Sequence, residues 1–111
     1  MVGANEVPPN SSTGTGSARA DLNPRTLEIS ITVITTGIPG AASHLHLAAA
    51  GVNGPIIVPF TEGPAGTWKS APGATLTQAQ AVAFAAGGTY FNVHSAAFPG
   101  GEIRAQATGL D

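Results

Sequence analysis

All three histidines of this chain fall in two strand-like patterns, His44-Leu45-His46 and Asn92-Val93-His94. Side chains on a strand alternate between faces, so His44 and His46 project the same way, roughly 6.5–7 Å apart along the strand. That spacing lets two imidazoles close on one metal ion. A third imidazole, His94, from a neighbouring strand completes a facial three-nitrogen site. Imidazole suits copper, zinc, iron and nickel, and the intrinsic affinity order places copper above zinc. Spacing alone does not select the metal, because three histidines with one open position is also a known zinc arrangement.

The neighbouring polar residues are read around that site. Metal-bound imidazoles usually donate their second N–H to a carboxylate, carbonyl or water, and Asn92 and Glu102 are the side chains whose pattern fits. Arg104 shares a strand face with Glu102. It is read either as half of a cross-strand ion pair or as a group that draws an anion toward the metal. Tyr90 and Trp68 are expected to pack in the core, with packing beside the site or a hydrogen bond within it as the alternative readings of Tyr90. Other chemistries find no support. There is no cysteine, hence no thiol nucleophile, thiolate site or disulfide. No Gly-x-Ser-x-Gly elbow and no Gly-x-x-x-x-Gly-Lys loop occurs, and the acids are too scattered for a carboxylate dyad.

These residues need strands to hold them. Leu27, Ile29, Ile31 and Val33 alternate with Glu28, Ser30, Thr32 and Ile34, the period of two of a half-buried strand. Ala18, Ala20 and Leu22 alternate more weakly, and Asn23-Pro24-Arg25-Thr26 makes a turn. Residues 5–16 read as an opening edge strand and a loop. Residues 43–47 and 90–94 read as the histidine strands, 48–54 as a loop, and 55–60 as a short apolar strand. Trp68 falls in another short strand. In the final strand Ile103, Ala105 and Ala107 oppose Glu102, Arg104 and Gln106. One helix is expected near 77–86. Thr77 caps it, Gln80 completes a capping box, Ala79, Val82, Ala83 and Ala86 form its apolar face, and Gly87-Gly88 ends it. Asn53-Gly54 and Gly100-Gly101 are expected to turn with positive φ. The pattern predicts a mostly β protein, a Greek-key sandwich or barrel of about 7–8 short strands with one short helix.

Composition narrows the partners. The 111 residues suit one domain, 1–111. Charged residues are 9% of the chain and the net charge is −2. Four basic residues do not make a phosphate-tracking surface, so nucleic acid is excluded as a partner. No apolar run is long enough for membrane insertion. Met1 and Val2 stand before a mature-looking start, as in an exported protein whose export signal lies outside this chain.

Taken together, Gly3-Ala4-Asn5-Glu6-Val7-Pro8-Pro9, His44-Leu45-His46, Gly51-Val52-Asn53-Gly54-Pro55, Gly88-Thr89-Tyr90-Phe91-Asn92-Val93-His94 and Phe98-Pro99-Gly100-Gly101-Glu102-Ile103-Arg104 resemble the CHRD, or chordin-repeat, domain family. The resemblance covers nearly the whole chain. That family occurs in secreted bacterial proteins and in the animal protein chordin, beside growth-factor-binding modules. The resemblance therefore implies a secreted or periplasmic protein. The histidine pattern followed by Gly-Gly…Arg also looks like the copper half of copper–zinc superoxide dismutases, which are Greek-key barrels. On that analogy His44, His46 and His94 hold copper and Arg104 attracts superoxide. The bridging histidine, the zinc subsite and the cysteine pair of those enzymes have no counterpart here. The expectation is an exported copper domain with superoxide dismutase activity. The alternatives are an extracellular interaction module that binds a protein partner without catalysis, and a zinc site with hydrolase or hydratase chemistry.

Overall fold

The structure is a computed structural model, described for residues 1–107. Seven strands form one antiparallel sheet: β1 (Thr15–Leu22), β2 (Ile29–Thr36), β3 (Gly40–Leu47), β4 (Ile56–Glu62), β5 (Thr67–Ser70), β6 (Thr89–Ser95) and β7 (Ile103–Gln106). Their order is β1-β2-β5-β4-β3-β6-β7. Strands β3, β4 and β5 form a meander, and β2 lies beside β5 rather than beside β3, which is Greek-key topology. The link from β2 to β3 spans residues 37–39 and crosses from one wall to the other. Val2 bridges both Thr15 of β1 and Arg104 of β7, so the two sheet edges nearly meet and the sheet curls into a barrel. Among the described residues no helix is long and apolar enough to cross a membrane.

The interior is hydrocarbon. Ile31, Val33, Leu45, Val93 and Ile103 are at most 1% exposed and lie in one cluster with Ile29, Val58, Trp68 and Phe91. The alternation expected for β2 holds, with Ile29, Ile31 and Val33 all inward. Helix α1 (Gln78–Ala85) carries the expected capping box: Thr77 Oγ1 accepts from the Gln80 backbone N–H, and the Gln80 side chain accepts from the Thr77 N–H. Its buried face is not the expected one. Ala81 and Phe84 face the core, while Val82 is 60% exposed. In an alanine-rich helix the single large ring decides the rotation, because it removes far more apolar area from water than any alanine.

The opening segment also differs. Residues 5–16 contain no edge strand before Thr15. A 3-10 turn (Gly3–Asn5) is followed by irregular chain. Pro8 and Pro9 have no N–H to give a ladder. Asn10 replaces the ladder with side-chain bonds, donating through Nδ2 to the carbonyls of Gly101 (3.2 Å) and Glu102 (3.0 Å). The segment thereby lies over the outside of β7.

Candidate metal centre

Residues of β3, β6 and β7 that do not face the core face outward, and cross-strand register sets them in rows. His44 stands opposite Asn92, which stands opposite Arg104. His46 stands opposite Tyr90, which stands opposite Gln106. His94 falls beyond Asn92 on the same face of β6. The β3–β4 register shifts between Leu45 and His46, a bulge of the kind that re-aims side chains beside sites.

The structure brings all three histidines together. Ring centroids lie 5.4 Å (His44–His46), 5.0 Å (His44–His94) and 5.8 Å (His46–His94) apart. One nitrogen from each ring lies within 4.8 Å of the others. His44 Nδ1, His46 Nε2 and His94 Nε2 are buried and have no hydrogen-bond partner. The opposite nitrogens of two rings are engaged: His46 Nδ1 donates to the Gly54 carbonyl (2.9 Å) and His94 Nδ1 to the Pro99 carbonyl (3.0 Å). A carbonyl oxygen only accepts, so each Nδ1 carries the proton and each Nε2 keeps its lone pair. An ion with bonds of about 2.1 Å needs its nitrogens roughly 3.4 Å apart, which small ring rotations supply.

Electrostatics favour lone pairs over protons. Burial, and then the neighbouring His94 and His46, push His44 down to about 4. Burial also lowers His94, with the Pro99 carbonyl opposing and His46 adding to the decrease. Burial disfavours the charged imidazolium, and adjacent imidazoles cannot all hold protons. The same two features make His44 and His94 harder to protonate than an ordinary imidazole.

The groups that orient the rings are not those the sequence suggested. Gly54 and Pro99 use backbone carbonyls, which leave no side-chain signature. Glu102 does not reach a histidine. Its carboxylate accepts from Ser12 Oγ (2.6 Å) and Ser95 Oγ (2.6 Å), tying the N-terminal segment to β6. Asn92 is 2% exposed and its Oδ1 has no partner. Arg104 is 1% exposed. Its guanidinium donates through Nη1 to Asn53 Oδ1 (3.2 Å) and through Nη2 to the carbonyls of Ala49 (3.2 Å) and Val52 (2.7 Å). The expectation that Arg104 meets an incoming anion is corrected by this burial: its bonds go to the 48–54 loop. The alternative cross-strand ion pair is also absent, since the salt bridge among the described residues is Arg19–Asp21.

Tyr90 is closer to the chemistry than its expected packing role. Its ring stacks on His46 at 4.7 Å and 4°, and its hydroxyl accepts from the Gly54 N–H (3.1 Å). Gly54 thus holds both rings. Its requirement for glycine is a close approach: a Cβ there would collide with the Leu47 carbonyl, and positive φ is not involved. At the other loop Gly101 alone of its pair has positive φ, at 128°. A Cβ on Gly101 would stand 2.6 Å from both carboxylate oxygens of Glu6. Glu6 was not singled out by its chemistry in the sequence. It is 3% exposed, and burial raises its carboxyl to about 7, with Arg104 pulling the other way.

A nearly closed β-barrel with three imidazoles gathered on its outer wall is the class these features define. Within that class the chain belongs to the CHRD domain family, whose model matches residues 1–107. No curated protein and no solved structure matches the chain.

Proposed function

We propose that this domain binds one copper ion through His44 Nδ1, His46 Nε2 and His94 Nε2, and that the bound ion reacts with superoxide outside the cell. The observation that carries the reading is the convergence of three buried, unpartnered imidazole nitrogens on one point. A buried lone pair with no donor is costly unless something else fills it. A cation-free packing of three such groups has no compensating contact. Copper ranks above zinc for an all-imidazole set, and three imidazoles serve both of its oxidation states.

Copper would supply one-electron exchange: one superoxide is oxidised to dioxygen, and a second is reduced and takes up two protons to leave as hydrogen peroxide. The chain's own part is to hold the His46 and His94 ring planes, through Gly54 and Pro99, and to make His44 and His94 harder to protonate. His44 and His94 are only half-buried, which leaves one side of the cluster toward solvent. With Arg104 buried and a net charge of −2, no guanidinium at the mouth draws an anion inward. Added salt should therefore not slow the reaction.

Titration of the metal-free protein with Cu(II), followed by electron paramagnetic resonance, tests the binding. One equivalent with nitrogen hyperfine structure is expected, and the His46→Ala variant should lose both the structure and at least about 100-fold in affinity. Binding unchanged in that variant would remove the copper reading. Copper-loaded protein without dismutase activity would leave binding and remove the reaction. In that case the family's occurrence in extracellular interaction proteins favours a binding module instead.

A further inference from the structure

Three side chains form a buried column that ends on a histidine. Arg104 Cζ lies 3.4 Å from the centre of the Tyr90 ring. The opposite side of the stack is His46, its ring nearly parallel to that of Tyr90. Exposures along the column are 1% for Arg104, 2% for Tyr90 and 6% for His46. The same three residues are joined a second time through the loop. Arg104 holds Ala49, Val52 and Asn53, and the next residue, Gly54, donates to Tyr90 Oη and accepts from His46 Nδ1. Displacing the guanidinium therefore releases the stack and the carbonyl together.

The guanidinium at the end of this column makes no ion pair among the described residues. A guanidinium stays protonated in proteins. Its acceptors here are carbonyl oxygens, not carboxylates, and water screens it little at this depth. Glu6 is the acid that feels it, and burial holds that carboxyl partly neutral near pH 7.

We propose that Arg104 is a positioning residue for the metal centre: acting through Tyr90 and Gly54 it holds His46 in one plane and one tautomer, and its fixed charge favours the reduced over the oxidised ion. The second half rests on the copper reading. The first half does not, because it is visible in the metal-free protein.

Nitrogen-15 NMR of the histidine rings reads the tautomer. In the metal-free wild type His46 should show a single Nδ1–H form. Arg104→Gln and Tyr90→Leu should show a mixture, while Tyr90→Phe, which keeps the stacked ring, should show mostly the single form. One unmixed tautomer in folded Arg104→Gln would overturn the positioning role. If that variant does not fold, Arg104→Lys keeps the charge but loses the planar stack, and its expected mixture carries the same decision. In copper-loaded protein, Arg104→Gln should lower the Cu(I):Cu(II) affinity ratio about tenfold, a fall of about 59 mV in midpoint potential. Arg104→Lys should restore most of it. An unchanged potential in Arg104→Gln, with copper still bound, would overturn the charge effect. A wild type that binds no copper would remove the reading of the site, and the tautomer result would still decide the positioning.

Discussion

The two faces of β3 and β6 are built from alternate residues of the same strands and follow opposite rules. On the inner face Leu45 and Val93 are fully buried in hydrocarbon and make no polar demand. On the outer face, one residue away in each case, His46 and Asn92 are buried, His44 and His94 are half-buried, and each leaves a buried nitrogen or oxygen unpartnered. Burial on the inner side holds the barrel together. Burial on the outer side leaves ring nitrogens and an amide oxygen without hydrogen-bond partners. The difference shows that a strand can be buried on both sides and still assign structure to one and chemistry to the other.

That contrast is sharpest between adjacent residues. Leu45→Ala removes a fully buried side chain and should cost about 2–5 kcal/mol in denaturant unfolding, with copper stoichiometry kept in whatever fraction stays folded. His44→Ala should do the reverse. It should cost the metal-free protein under about 1 kcal/mol, since the deleted ring nitrogen has no partner, yet abolish tight copper binding. A stability loss in His44→Ala equal to that of Leu45→Ala would erase the distinction.

A smaller effect comes from ionisation on the outer side. Burial pushes the Glu6 carboxyl up to about 7 in the folded protein, against an ordinary value of 4.5. Its folded value is raised, so the stability it contributes is complete below about 4.5 and is lost as pH rises through 7. His44 is displaced the other way, to about 4 from 6.5, so its contribution is complete above 6.5 and is lost as pH falls through 4. Thermal melts of the metal-free protein should therefore show Glu6→Gln gaining on the wild type between about pH 5 and 8. His44→Gln should gain as pH falls from 6.5 toward 4. Parallel melting curves for wild type and Glu6→Gln would mean that the carboxyl ionises freely. The smallest effect is expected on the helix, where Val82→Ala should change stability by no more than about 0.5 kcal/mol, because that side chain lies in water.

The site was legible in the sequence to the extent that it depends on strand periodicity. The two-residue repeat puts His44 and His46 on one face, and the β2 alternation and the Thr77–Gln80 capping box are equally local, whereas His94 joins the pair only through the β3–β6 pairing. What was not legible is set by distant chain. The phase of α1 depends on where Phe84 finds the core, which alanine spacing does not encode. Glu102 carries an ordinary strand pattern, and nothing local tells that Ser12 and Ser95 will enclose it. Arg104 reads as a surface cation until the 48–54 loop closes over it. The carbonyls of Gly54 and Pro99 belong to the backbone and have no residue-type signal. The family resemblance covered the loop motifs around Glu6 and Asn53 without giving their physical use.

Val2 pairs with residue 15 on one side and residue 104 on the other. Val2 thus fastens the barrel's two edges, and its bond to residue 104 joins chain positions about as far apart as the fold allows. Contacts of such long sequence separation form late, because the intervening chain must be ordered before they can be made. The fastening also shares Arg104 with the column that ends on His46. The amides of Val2 and Arg104 are bonded to each other's carbonyls at 3.2 and 3.1 Å, so their hydrogen exchange is a clock for the seam. Loosening that seam should also loosen the column that ends on His46, and two backbone protons would report it.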